Sequence, residues 1–223
     1  MTAPVFRERP AASPASGLLV LHHGRGADEH DLLPLADALD PAQRLHVVTP
    51  RAPLTIAGWP GNHWYLVPRV GYPDADSFHA AYALLSAFHD ELWRRTGISP
   101  QRTVLGGFSM GSVMSYALAL GADRPAPAGI LAFSGFIPTV DGWQPQLADR
   151  SGVRASIAHG RNDPVISVEF ARVARQKLVA AGLDVSYHEF AGGHEIDPSY
   201  IPAVRDWLQD VLPDEPPGPS AAR

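Results

Sequence analysis

Short apolar runs alternate along the chain with longer stretches whose apolar residues recur at helical spacing. The runs Gly17–His22, Leu45–Thr49, Arg102–Gly106, Gly129–Ser134, Ala155–His159 and Asp184–Phe190 have the length and content of strands. Between them Phe78, Ala81, Leu85, Phe88 and Leu92 build one apolar helical face. Phe170, Ala174 and Leu178 build a second, and Ile201, Val204, Leu208 and Val211 a third. Strands that alternate with helices imply βαβ units, and hence a mostly parallel sheet with helices on both faces. Val5–Arg9 adds an antiparallel edge strand, which brings the sheet to about seven strands.

Met110–Leu120 is apolar nearly all round and predicts a buried helix. A helix is also expected over Asp28–Leu39. Asp197-Pro198 supplies a cap and a first-turn proline for the last helix, and Ser167 a cap for the helix before it. From Arg51 to Pro73 no periodicity appears. That stretch exceeds the ~12–15 residues that structureless loops usually reach, and such loops tend to be functional. The stretch Gly135–Ser151 is too short for a helical cap, so no substantial lid is expected and the site should be open. One domain over 17–212 accounts for all of these elements. Residues 1–16 form a flexible N-terminal segment around the edge strand, and 213–223, rich in Pro, Ala and Ser, a disordered tail.

The chain has 223 residues, 45% hydrophobic and 18% charged, which fits one α/β core. A net charge of −5 without a basic run gives no support to nucleic acid or an anionic membrane as partner. A small molecule is expected instead, and a homodimer stays open. Cysteine is absent, which excludes disulfides, Cys-ligated zinc, iron–sulfur clusters and thiol nucleophiles. The single lysine, Lys177, lies on the polar side of a helical pattern and offers no Schiff base. No His-Glu-x-x-His occurs, so neither a metal nor an organic cofactor is expected. Gly17-Leu-Leu-Val-Leu is too short to span a bilayer or to form a signal-peptide core, which predicts a cytoplasmic protein without membrane insertion.

The chemistry centres on Gly107-Phe-Ser109-Met-Gly111, set between a predicted strand and the predicted buried helix. A sharp turn there exposes the Ser109 hydroxyl, and glycines on either side relieve the crowding. The plainer reading is a serine that caps the helix. A serine nucleophile needs a base, and the base a carboxylate to orient it. Asp163 follows the strand ending at His159, and His194 follows the strand ending at Phe190, in the order serine, acid, histidine. Glu195 and Asp197 are the places to look for the acid if Asp163 is not it. The backbone N–H groups of Met110, after the nucleophile, and Arg25, after the first parallel strand, are the expected oxyanion donors. His22, His23, His63 and His159 sit near strand ends or loops on the same side.

His23-Gly-Arg-Gly-Ala-Asp28, Gly107-Phe-Ser-Met-Gly111, Ser134-Gly-Phe136, His159-Gly-Arg-Asn-Asp-Pro-Val-Ile166 and Gly192-Gly-His194 together resemble the phospholipase/carboxylesterase family of α/β-hydrolases, the group with the acyl-protein thioesterases. The resemblance implies an α/β-hydrolase fold, with Ser109 as nucleophile, Asp163 as acid, His194 as base and Arg25 and Met110 as oxyanion donors. The family's thioesterases usually carry Gln where this chain has Met110 and Leu where it has Arg25. An arginine at the mouth turns the expectation away from protein depalmitoylation and towards polar or anionic esters. Trp64-Tyr65, in the aromatic loop with Trp59 and His63, resembles the family's border to the acyl pocket, with Trp64 ranked first, and Val165 and Ile166 would face it; the plainer reading is that these aromatics pin the loop to the surface. The expected activity is cleavage of short to medium acyl esters or thioesters through an acyl-enzyme. A non-catalytic binding or sensor protein on this scaffold is the alternative, as is a serine peptidase or acyltransferase of the same fold.

Overall fold

Central strands of this protein are apolar on both faces because both faces are covered. The computed structural model describes residues 3–214. Seven strands form one sheet: β1 (Phe6–Arg9), β2 (Gly17–His22), β3 (Leu45–Pro50), β4 (Thr103–Phe108), β5 (Gly129–Phe133), β6 (Arg154–Gly160) and β7 (Asp184–Phe190). Their spatial order is β1-β3-β2-β4-β5-β6-β7, and only β1, paired with β3, runs antiparallel. Five α-helices follow in chain order: α1 (Leu33–Leu39), α2 (Ala75–Thr96), α3 (Met110–Leu120), α4 (Glu169–Ala180) and α5 (Ile201–Val211).

Alternation along each strand sorts the core into two layers. Leu18, Val20, Leu105, Ile130 and Ile157 point to α2, α3 and α4. Leu19, Leu21, Val104, Leu131 and Ala158 point to α1 and α5. The apolar faces read from the sequence on α2, α4 and α5 are the ones buried, apart from Phe170 and Val211, which are half-buried. Every residue of α3 is buried, as its all-round apolar content requires.

Local chemistry moves several boundaries. The helix expected from Asp28 begins only at Leu33. The Asp28 carboxylate takes the His30 N–H at 2.9 Å, which closes a turn, and Ala27 is drawn into a bridge with Asn62. Asp197 does cap, but onto a single 3₁₀ turn, Pro198–Tyr200, that runs into α5 at Ile201. Ser167 reaches only the Glu169 N–H, at 3.4 Å. Gly135–Ser151 contains no helix, so this segment forms no helical cap over the C-terminal ends of the strands. Of the disordered tail expected over 213–223, residues 215–223 lie outside the described residues.

Two imidazoles are buried where β2 meets α2. His22 Nδ1–H donates to the Gly106 carbonyl at 3.1 Å, which leaves its Nε2 bare to accept from His89 Nε2, 3.4 Å away. Burial pushes His22 down to about 3, the nearby His23 adds to this and the Gly106 carbonyl opposes it. His89 is pushed well below its usual value of 6.5, again by burial first and then by His22 and Arg124. Both rings are therefore neutral in the native state, whereas the unfolded chain protonates them below pH 6.5. Unfolded molecules then hold more protons, so stability falls as pH drops from 6.5 towards 3. Urea titrations across this window should show a loss of up to about 1.4 kcal/mol per pH unit for each ring. His89→Leu should flatten that slope, and an unchanged slope would remove the pair from the acid sensitivity.

Candidate active site

β4 runs directly into α3, and Ser109 is the hinge between them. Its backbone stands at φ 55° and ψ −119°, a region that L-residues avoid and that costs on the order of 1–3 kcal/mol. Side chains at the flanking positions would collide. A Cβ on Gly107 would lie 2.6 Å from the His22 carbonyl oxygen, and one on Gly111 only 1.9 Å from it. The turn is pinned by Ser109 N–H on the Phe133 carbonyl at 2.8 Å, and by Ser112 Oγ, which bridges Gly107 and Phe133.

The other two side chains come from the loops after β6 and β7, which lie against each other. Arg161 N–H donates to the Phe190 carbonyl at 2.8 Å, and Asn162 N–H to the Gly192 carbonyl at 3.0 Å. Contact is so close at Gly160 that a Cβ there would meet the Gly193 oxygen at 2.1 Å. Across this seam His194 Nδ1–H donates to Asp163 Oδ2 at 2.7 Å, and Ser109 O–H donates to His194 Nε2 at 2.8 Å. The structure thus brings Ser109, Asp163 and His194 into one hydrogen-bonded line. Phe108 packs on the His194 ring, with centroids 4.9 Å apart.

Asp163 has no exposed side-chain surface. Burial works to raise its pKa, but the N–H of Ile166, then His194 and the Val165 N–H, outweigh burial and hold it below the usual carboxylate range. These bonds favour its charged form. His159 lies behind it. Its Nε2 is 2.8 Å from the Ile166 carbonyl, so that nitrogen carries the proton, and it stands 3.2 Å from Asp163 Oδ2.

Neither the Arg25 N–H nor the Met110 N–H donates to any acceptor among the described residues. Met110 opens α3, where the first N–H groups have no intrahelical partner. Arg25 sits on a loop held at its neighbours: Gly26 N–H donates to Asn62 O at 2.9 Å, and Asn62 N–H to Ala27 O at 2.8 Å.

A cavity of about 530 Å³ opens above Ser109 and His194. Its wall is mainly apolar, built from Tyr65, Val67, Val70, Phe108, Phe136, Val165 and Ile166, with Arg25, Trp59 and Asp31 as further lining. A second groove, about 560 Å³, lies beside Val5, Arg51 and Leu84 and is lined by no serine, histidine or carboxylate.

Val165 and Ile166 are in the wall as expected from the sequence, but Trp64 and His63 are not. Trp64 is fully buried, with its ring against His22 and His23, and its neighbour Tyr65 takes the place on the wall. His63 is buried too, fixed by backbone pairing with Leu54. The chain bends at Trp64 and Tyr65, and these adjacent rings fall on different sides of it. His22, His23 and His159 are buried behind the site rather than in it. Sequence reasoning picked out the Trp64-Tyr65 pair but ranked the wrong ring first, and it gave Trp59, named in the same loop, no place of its own in the wall. It missed Phe136, which closes the Ser-Gly-Phe motif that follows β5.

Among the described residues, one group brings three metal-type ligands within reach of each other: Asp28, Glu29 and His30. There the Glu29 carboxylate is already held by Arg51, at 2.5 and 2.6 Å.

The chain is similar to known thioesterases and esterases over most of its length. The chain is 24% identical over 227 residues to acyl-protein thioesterase 1 of Debaryomyces hansenii, covering 94% of this chain and 97% of that one. It is 26% identical over 205 residues to esterase YpfH of Escherichia coli, covering 90% and 85%. Among solved structures, esterase PE8 superposes with a TM-score of 0.78 at 28% identity, over 95% of this chain and all of that one. The family model described as Phospholipase/Carboxylesterase matches residues 7–212, and the chain belongs to that family.

Proposed function

We propose that this protein is a serine hydrolase that cleaves carboxylic esters, or thioesters, through an acyl-enzyme. The observation that carries the reading is the hydrogen-bonded line Ser109–His194–Asp163, and it is supported by the backbone N–H groups of Arg25 and Met110, which have no acceptor among the described residues. His194 Nε2 takes the Ser109 proton as Oγ adds to the substrate carbonyl, and the carbonyl electrons move onto oxygen. Arg25 and Met110 N–H then face the new oxyanion, which is where preformed donors lower a barrier most. Imidazolium formed on His194 is stabilised by Asp163 and returns its proton to the leaving alcohol or thiol. Water, activated by the same imidazole, repeats the sequence and frees the acid. No step requires a metal or an organic cofactor. No helix among the described residues is long and apolar enough to cross a membrane, which suits a substrate met in solution.

Ser109→Ala should lower kcat/KM on a p-nitrophenyl ester by at least about a thousandfold while the far-UV spectrum stays that of the wild type. Fluorophosphonate labelling followed by peptide mass analysis should find the adduct on Ser109. Turnover that survives the alanine would place the nucleophile elsewhere.

The uncapped cavity also limits chain length. Each further methylene adds about 0.8 kcal/mol only while the apolar wall lasts. Rates on esters from acetate to palmitate should therefore stop rising at short to medium chains, with no jump as micelles form. An optimum at palmitate, or interfacial activation, would contradict this.

Arg25 supports a preference for an anionic group. Its guanidinium stacks on Trp59, Cζ 3.8 Å from the ring centroid, and pairs with no carboxylate among the described residues, so its N–H edge is free for substrate. A p-nitrophenyl ester whose acyl chain ends in a carboxylate should be preferred over the neutral ester of equal length. Arg25→Gln should reduce that ratio about tenfold, the effect of one charge-assisted hydrogen bond. An unchanged ratio would remove Arg25 from substrate choice.

A further inference from the structure

Trp64, fully buried and absent from the cavity wall, satisfies its two N–H groups on the two arms of the site. Its indole Nε1–H donates to the His23 carbonyl at 2.9 Å, and its backbone N–H donates to Met110 Sδ at 3.2 Å. His23 lies two residues before Arg25, and Met110 carries the second free N–H itself. One residue is thus bonded to both arms that present the unpaired donors.

The rest of its surroundings fix Trp64 in turn. Its ring lies 5.1 Å from His23, tilted by 35°, and meets His22 edge-on at 5.6 Å. His23 cannot swing away, because its Nδ1–H donates to Gly24 O at 2.7 Å while its Nε2 accepts the Ala52 N–H at 3.0 Å. Asn62, two residues before Trp64, holds the far side of the same loop through Gly26 and Ala27. The strip 62–64 runs along the Arg25 loop as a splint, and at its end touches the first residue of α3.

We infer that Trp64 is a positioning residue for the oxyanion donors: the bonds from its indole and backbone N–H to His23 and Met110 set the separation and direction of the Arg25 and Met110 N–H groups. The inference rests on the proposed serine chemistry. Electrostatic stabilisation of an oxyanion depends on donors that are already in place, and a misplacement of about 1 Å can reduce rate on the order of a hundredfold. A residue that only fills the core would alter stability and leave the balance of kcat and KM alone.

Trp64→Phe tests this, since it keeps an aromatic ring and the backbone N–H and removes the indole donor. We expect kcat to fall about tenfold with KM within about twofold, because the loss concerns the transition state and not the bound ester. An aryl trifluoromethyl ketone gives a second reading. Ser109 Oγ adds to its carbonyl carbon, the Ser109 proton passes to His194, and the carbonyl electron pair becomes an oxyanion held between the two donors. Its inhibition constant should rise about tenfold in Trp64→Phe, in step with kcat, while that of the corresponding alcohol, which forms no oxyanion, should not change. Met110→Leu, which removes the sulfur acceptor and keeps similar volume, should show the same pattern to a smaller degree and serves if Trp64→Phe does not fold.

Wild-type kcat and ketone affinity in these variants, with turnover still dependent on Ser109, would overturn the positioning role and leave the serine mechanism standing. Equal weakening of the ketone and the alcohol would also overturn it, since that pattern marks a general loss of the cavity. Turnover in Ser109→Ala would overturn both readings at once.

Discussion

The backbone of Ser109 must be held at φ 55°, and much of the molecule is arranged to hold it there. No side chain relaxes that strain, so it is offset by neighbours that fix the turn from several directions. β5 supplies the Phe133 carbonyl for the Ser109 N–H, and Ser112 ties the first turn of α3 back to Gly107. α3 lies so close to β2 that Gly111 has the His22 carbonyl where its Cβ would be. A helix placed this near the sheet, with α2 packed across it, has no face left for water. Its uniformly apolar sequence follows from the turn that begins it.

That dependence explains which parts of the protein were legible in the sequence. Strands buried on both faces read as apolar runs, and α2, α4 and α5, each with one covered side, read as periodic faces. The elbow was legible because steric crowding leaves glycine as nearly the only residue for positions 107 and 111. Asp163 and His194 were legible through their order after successive strands, since parallel strands bring the loops at their ends to one edge of the sheet. Where side-chain hydrogen bonds override periodicity, the reading failed. Asp28 closes a turn on His30 and delays α1 by a full turn, although the residues from 28 onward look helical.

The orientation of the 51–73 segment was not legible for another reason. It has little regular structure to impose a period, and the bridge that ties it to the Arg25 loop, Ala27 to Asn62, joins residues far apart in sequence. An aromatic pair such as Trp64-Tyr65 identifies a functional strip without saying which ring faces the cavity. His22 and His89 were hidden in the same way. Each looks like an ordinary strand or helix histidine, and only the packing of α2 on β2 makes them a neutral buried pair.

Adjacent residues on opposite sides of one strip also separate two properties of the site. Tyr65, Val67 and Val70 face the cavity and set its shape, while the backbone of Asn62 and the buried Trp64 hold the loop that carries Arg25. A change at Tyr65 alters the wall that an acyl chain meets and leaves the bonds to His23 and Met110 in place. A change at Trp64 alters those bonds without touching the wall. Substrate range can therefore vary along this segment at little cost to the donors, provided that Asn62 and Trp64 keep their bonds to the Arg25 loop and Met110.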